Sequence, residues 1–157
     1  MALDRIDHGI IDALQNDGRM SNKMLAAKVG LAPSSCLERV RKLEQQGVLE
    51  GYRAEVSLAA RGVRIQAIVY VELGRHRGDE MDTFDSHIRA FPEVVAVFNV
   101  AGRWDYLLHV AVPDVERLKS FSQDALASRN EVRRIETSLV FEHHARGSLP
   151  LWDEAKD

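Results

Sequence analysis

Ser34, Ser35, Glu38, Arg39, Arg41 and Lys42, all able to carry charge or make hydrogen bonds, are clustered in the first ten residues after Ala32 of the stretch APSSCLERVRKLEQQG. Among them, Cys36, Val40, Leu43 and Gly47 recur at spacings of four, three and four. At 3.6 residues per turn this spacing gathers the apolar positions on one side. Ser35, Glu38, Arg39 and Lys42 share another, with Ser34 just ahead. Small hydroxyls and cations on one helical face suit nucleic-acid recognition. A guanidinium can pair with the edge of guanine in bidentate fashion, each such pair giving roughly 1–3 kcal/mol of discrimination, while other cations meet phosphates. Arg39 is the candidate base reader, Arg41 and Lys42 the candidate phosphate contacts, and the two serines permit close approach. On periodicity alone, the solvated face of an ordinary helical bundle is an equally good reading. Cys36, on the apolar stripe, reads as a small core residue.

The elements that must position this helix lie just before it. Leu3, Ile6, Ile10, Ile11 and Leu14 follow a helical period with acids near the start, and Asp17-Gly18 supplies a stop. Ser21 is a good N-cap for a short second helix through Leu25, Ala26 and Val29, closed by Gly30. Pro33 then opens the third helix, where its missing N–H falls among donors already unpaired. Short helix, tight turn and longer helix with a small, basic outer face form the helix-turn-helix pattern, whose second helix enters the major groove. After Gly47, VLEGYRAEV alternates as a strand pair or wing would, with Arg53 a possible phosphate contact.

Charge alone does not announce nucleic acid. The 157-residue chain carries a formal net charge of −3, and residues 1–56 hold eight basic and eight acidic side chains. Any such role must come from placement and from several copies acting together. One cysteine cannot form an internal disulfide or complete a Cys-based metal site, so a cytoplasmic protein without cofactor or metal is expected. The N-terminus lacks the apolar run of a leader, and nothing approaches the roughly 20 apolar residues that span a bilayer.

The second half changes period. RIQAIVYVEL places Ile65, Ala67, Val69, Val71 and Leu73 on one face of a strand, yet Ile68 and Tyr70 make the other face apolar as well. Met81, Phe84, Ile88 and Phe91 form a helical stripe, and strands in VVAVFNV and WDYLLHVAV flank a turn at 101–103. Asp114 caps a second helix with stripe Val115, Leu118, Phe121 and Ala125, and 132–141 alternates as a last strand. This βαββαβ order predicts a ferredoxin-like α+β domain with helices on one face of an antiparallel sheet. The other face, still apolar, packs most economically against a second copy.

No phosphate-binding loop, dinucleotide fingerprint, zinc-protease helix or C-x-x-C is present, and Cys36 lies beside no base, so an enzyme is not expected. His143 and His144 are adjacent, point to opposite faces of any strand, and cannot jointly hold a metal there. The remaining rival is an interaction module in which the helical half only docks.

The constellation LD..D..I...L..DGR.S, LA..VGL and RV..LE..GV..GY, spread over residues 3–52, resembles the N-terminal domain of the Lrp/AsnC, or feast/famine, transcription regulators. The resemblance extends over almost the whole chain. It implies a winged helix-turn-helix at 1–51, a linker at 52–63 and a ferredoxin-like effector-binding and oligomerisation domain at 64–157. The implied partners are double-stranded DNA, a small effector that is usually an amino acid, and further copies forming a dimer and commonly an octamer. DNA contacts are expected from Ser34, Ser35, Glu38, Arg39, Arg41, Lys42 and Arg53. Effector contacts are expected around the Gly-x-aromatic-Asp-Tyr turn, here Gly102, Arg103, Trp104, Asp105 and Tyr106, together with Thr137. Within that turn Arg103 could pair with a carboxylate and Asp105 could accept from an ammonium group. Alternatively, Trp104 and Tyr106 pack the sheet and Asp105 tightens the turn. Ala32 departs from the Ser or Thr that many members use to cap the reading helix, and Arg103, Trp104 and Ile135 also depart from the common pattern.

Overall fold

Asp4 starts the first helix. Its Oδ1 accepts hydrogen bonds from the backbone N–H of Ile6 and Asp7, while Asp7 Oδ2 accepts from the Asp4 N–H. This reciprocal capping box satisfies donors that the first helical turn leaves unpaired. In the computed structural model, which describes residues 3–74, 78–144 and 148–149, the resulting helix α1 covers Arg5–Asn16. Helix α2 (Asn22–Val29) is capped by Ser21 Oγ and ends at Gly30, which takes the left-handed φ of 72° that a Cβ would disfavour. Helix α3 (Pro33–Gln45) follows with Pro33 at its first position. Ile10, Ala13, Leu14, Leu25, Ala26, Cys36 and Leu43 form the core among these three helices, and Val40 packs against it.

The expected wing is corrected by the structure. Residues 48–57 hold no strand. The first two N–H groups after α3's end turn, those of Val48 and Leu49, return to the Leu43 carbonyl. Alternation alone gave that segment no partner, and a strand exists only as a pair. Tyr52 instead fastens the segment to α3 by donating its hydroxyl to Glu44 Oε1 at 3.2 Å.

The chain divides into two compact units, one within the residues up to Glu55 and the other Val56–His143. In the second, β1 (Ile65–Leu73), α4 (Gly78–Arg89), β2 (Val94–Asn99), β3 (Tyr106–Val112), α5 (Val115–Phe121) and β4 (Val132–Leu139) follow in the predicted order. All strand pairs are antiparallel, in spatial order β2-β3-β1-β4. The two central strands alternate strictly, burying Ala67, Val69, Val71, Leu73, Tyr106, Leu108, Val110 and Val112. That face meets Phe84 and Ile88 of α4 and Leu118 and Phe121 of α5. After Phe121 the helix widens into a π-turn over Ser122–Ala127, which still buries Ala125 and Leu126.

Among the described residues no helix covers the other face. It carries Ile68, Tyr70, Leu107, His109 and Phe98, the last of these 53% exposed. His109 shares a hydrogen bond of 2.9 Å with Gln66 and lies 5.7 Å from the His143 ring. Burial, and then His143, hold its pKa below the ordinary imidazole value.

Candidate functional site

Three tethers fix α3 within its unit. Its first residue is preceded by Ala32, which has the extended backbone of an N-cap but no side chain to accept a hydrogen bond. Asn22, at the start of α2, donates its Nδ2 to the Pro33 carbonyl at 2.8 Å and so holds the entrance from outside. The second tether is Arg39, whose Nη1 bonds Asp4 Oδ2 at 2.6 Å and Asp7 Oδ1 at 2.8 Å. The carboxylates that cap α1 thereby also grip the middle of α3. The Asp7 N–H first, and the Arg39 guanidinium second, draw the Asp4 carboxyl below its ordinary pKa. The third is the core packing of Cys36 and Leu43, both at most 1% exposed. Burial pushes the Cys36 thiol pKa up.

This geometry changes the place of Arg39. The helical period puts it among the polar residues, but in the folded unit it turns to the α1 side and is engaged by two carboxylates. Ser34, Ser35, Leu37, Glu38, Arg41 and Lys42 remain exposed and form the outward surface of α3. Arg53 is exposed as well. Sequence reasoning passed over Asn22, whose partner lies 11 residues away, and the pairing of Arg39 with acids more than 30 residues earlier. Only the acids near the start of α1 hinted at the latter.

In the second unit, the 101–105 turn closes the β2–β3 hairpin and is stitched to β1. The Leu73 N–H donates to Asp105 Oδ2 at 2.7 Å, the Asp105 N–H to the Val71 carbonyl, and the Val100 N–H to the Asp105 carbonyl. Asp105 therefore holds the turn. Gly102 sits at φ 132°, a conformation that disfavours any Cβ, and the space beside it is open. Trp104 lies 5.7 Å from Tyr70, on the uncovered face of the sheet, with the guanidinium of Arg103 at 5.0 Å and that of Arg134 at 5.3 Å from its ring centre. Two cations against one indole face a favourable quadrupole, and Arg134 also pairs with Glu136 Oε2 at 3.5 Å.

Tyr106 and Thr137 do not join this cluster. Tyr106 is 3% exposed, stacks on Phe84 and donates its hydroxyl to the Met81 carbonyl, so it is a core residue. Thr137 pairs with Val69 and shares the helix-covered side of the sheet, opposite Trp104. Arg134 and Tyr70 are the members that sequence reasoning missed. Among the described residues, no group of His, Cys, Asp or Glu could hold a metal ion, and no helix is long and apolar enough to cross a membrane.

Comparison with known proteins agrees with this geometry on both units. Residues 3–44 match the AsnC-type helix-turn-helix domain, and residues 66–149 match the Lrp/AsnC ligand binding domain. The HTH-type transcriptional regulator AldR of Mycolicibacterium smegmatis is 42% identical over 149 residues, 95% of this chain and 86% of the relative. The leucine-responsive regulatory protein of Escherichia coli K12 is 36% identical over 140 residues, 89% of this chain and 85% of that protein. Among solved structures, a Neisseria meningitidis transcriptional regulator in complex with L-Met superposes with a TM-score of 0.87 at 33% identity, covering 95% of this chain and 97% of that one. With both domains matched in order, the chain belongs to the Lrp/AsnC family of helix-turn-helix transcriptional regulators.

Proposed function

We propose that this regulator acts as a homodimer, and in higher assemblies up to an octamer, whose DNA affinity is set by an amino acid held at the 101–105 turn. The observation that carries the dimer is the uncovered sheet face with Ile68, Tyr70, Leu107 and Phe98, which a second copy of the same face would bury. Two copies of α3 then address successive major grooves, so half-site centres lie about 10 bp apart or a multiple of it. Ser34, Ser35 and Glu38 face the bases, while Arg41, Lys42 and Arg53 meet phosphates. Arg39 serves as the tether that aims the helix. Repetition by symmetry explains how a domain of balanced charge neutralises enough phosphates.

For the effector, the L-Met complex of the Neisseria relative and the name of the leucine-responsive relative favour an amino acid. In this chain Arg103 and the open backbone at Gly102 suit its carboxylate, with Trp104 as the wall and Asp105 as the brace. An effector must bind one assembly or DNA-competent state better than another to shift anything. Calorimetric titration of the full chain with the twenty amino acids tests this, paired with sedimentation in their presence. At least one should bind, and Arg103→Ala should abolish that heat without unfolding the protein. Silence from all twenty, with no change in sedimentation or duplex affinity, overturns the amino-acid effector. A monomer at micromolar concentration overturns the dimer.

A further inference from the structure

Apart from Pro33 at its first position, helix α3 gives the core every apolar side chain it has except one. Cys36 and Leu43 are buried and Val40 packs against them, whereas Leu37 is 38% exposed and stands outside the core cluster. A single exposed leucine is ordinary on a protein surface. This one has particular neighbours. At 100° per residue it lies between Ser34, one turn before, and Arg41, one turn after, with Glu38 beside it, and all three are exposed. Beyond the Pro33 ring at its start, the outward surface of the reading helix is therefore polar except for one branched hydrocarbon near its N-terminal end, the end from which base edges are reached.

Base edges differ in what they offer to such a group. Adenine, guanine and cytosine present only hydrogen-bonding atoms in the major groove, whereas thymine adds a C5 methyl group. Pressing an isobutyl group on that methyl removes apolar surface of both from water. Against cytosine the same side chain meets a hydrogen at C5 in place of the methyl and buries less apolar surface.

We propose that Leu37 is a specificity-determining residue that recognises one thymine of each half-site through its C5 methyl group. The proposal rests on α3 being the helix that enters the groove. Ser34 and Arg41 remain free to make hydrogen bonds on either side, so Leu37 contributes a preference at one base position and nothing to phosphate neutralisation.

The test uses the full chain and the tightest duplex obtained from it by selection among random sequences. Each thymine of a half-site is replaced, one at a time, by deoxyuridine, which lacks only the methyl group. At one position the replacement should weaken binding about four-fold, the worth of one buried methyl, and about fifteen-fold when made in both half-sites. Leu37→Ala should bind the thymine and uracil duplexes equally at that position while keeping the wild-type salt dependence and melting temperature. Leu37→Met, which restores an apolar contact, should regain the discrimination. If no thymine is sensitive to loss of its methyl, or if Leu37→Ala still discriminates, the proposal is wrong. Placement of α3 on DNA is read separately: Arg41→Ala and Lys42→Ala must lower the salt slope, and if they do not, the premise fails rather than the contact.

Discussion

Replacing Arg39 with Ala separates two accounts of the helix-turn-helix unit. As a base reader, Arg39 would be missed only on cognate DNA. As a tether, engaged by Asp4 at 2.6 Å and Asp7 at 2.8 Å, it is missed on every duplex, because α3 loses its aim. Salt dependence gives the sharper measure. Each phosphate neutralised on B-DNA adds about 0.9 to the slope of log affinity against log salt. A guanidinium already paired inside the protein releases no counterion, so Arg39→Ala should leave the slope unchanged within about 0.3. Arg41→Ala or Lys42→Ala should each lower it by about 0.9 per half-site, or about 1.8 for a dimer on two half-sites. Fluorescence anisotropy from about 50 to 200 mM salt, on the selected duplex and a scrambled one, resolves this difference. Arg39→Ala should weaken both duplexes by the same factor and lower the melting temperature of the unit. A slope reduced by about 0.9, or a loss confined to the cognate duplex, would refute the tether.

The acid side of the same network has its own signature. Because the folded-state pKa of Asp4 lies below the ordinary carboxylate value, its stabilising effect is full above that ordinary value and is lost as pH falls through the folded pKa. Asp4→Asn should flatten that part of an acid-unfolding curve. Ala32→Ser supplies the missing acceptor at a residue already in N-cap conformation and should stabilise the helical unit by about 1 kcal/mol in urea melts. Asp105→Ala leaves the Leu73 N–H without its acceptor and should destabilise the sheet unit by about 1.5–3 kcal/mol, seen by calorimetry with no effector present. An unchanged melt would instead leave that carboxylate to the ligand. Ile68→Glu on the uncovered face should shift sedimentation to the monomer with circular dichroism retained.

Local patterns proved readable where one element's own residues decide the outcome. Ser21, Gly30, Pro33 and Asp114 mark helix boundaries because caps and turns depend on neighbours in sequence. Strict alternation in β1 announced both a buried and an apolar outer face. What escaped depends on distant partners. Alternation in VLEGYRAEV was real but found nothing to pair with. A helical wheel assigned Arg39 to the polar side correctly and could not show that two acids of another helix occupy that side. Tyr106 carried the family motif into the core, and Trp104 acquired Arg134 from a strand two positions away across the sheet.

Cys36 gives the helical unit a built-in reporter. It is the chain's one cysteine, 0% exposed and held as the less reactive thiol. An alkylating reagent can reach it only when the three helices part, so the labelling rate counts opening events one molecule at a time. Operator DNA, by holding α3 closed, should slow that clock in proportion to its occupancy. An effector acting only on how copies assemble should leave it running at the same pace.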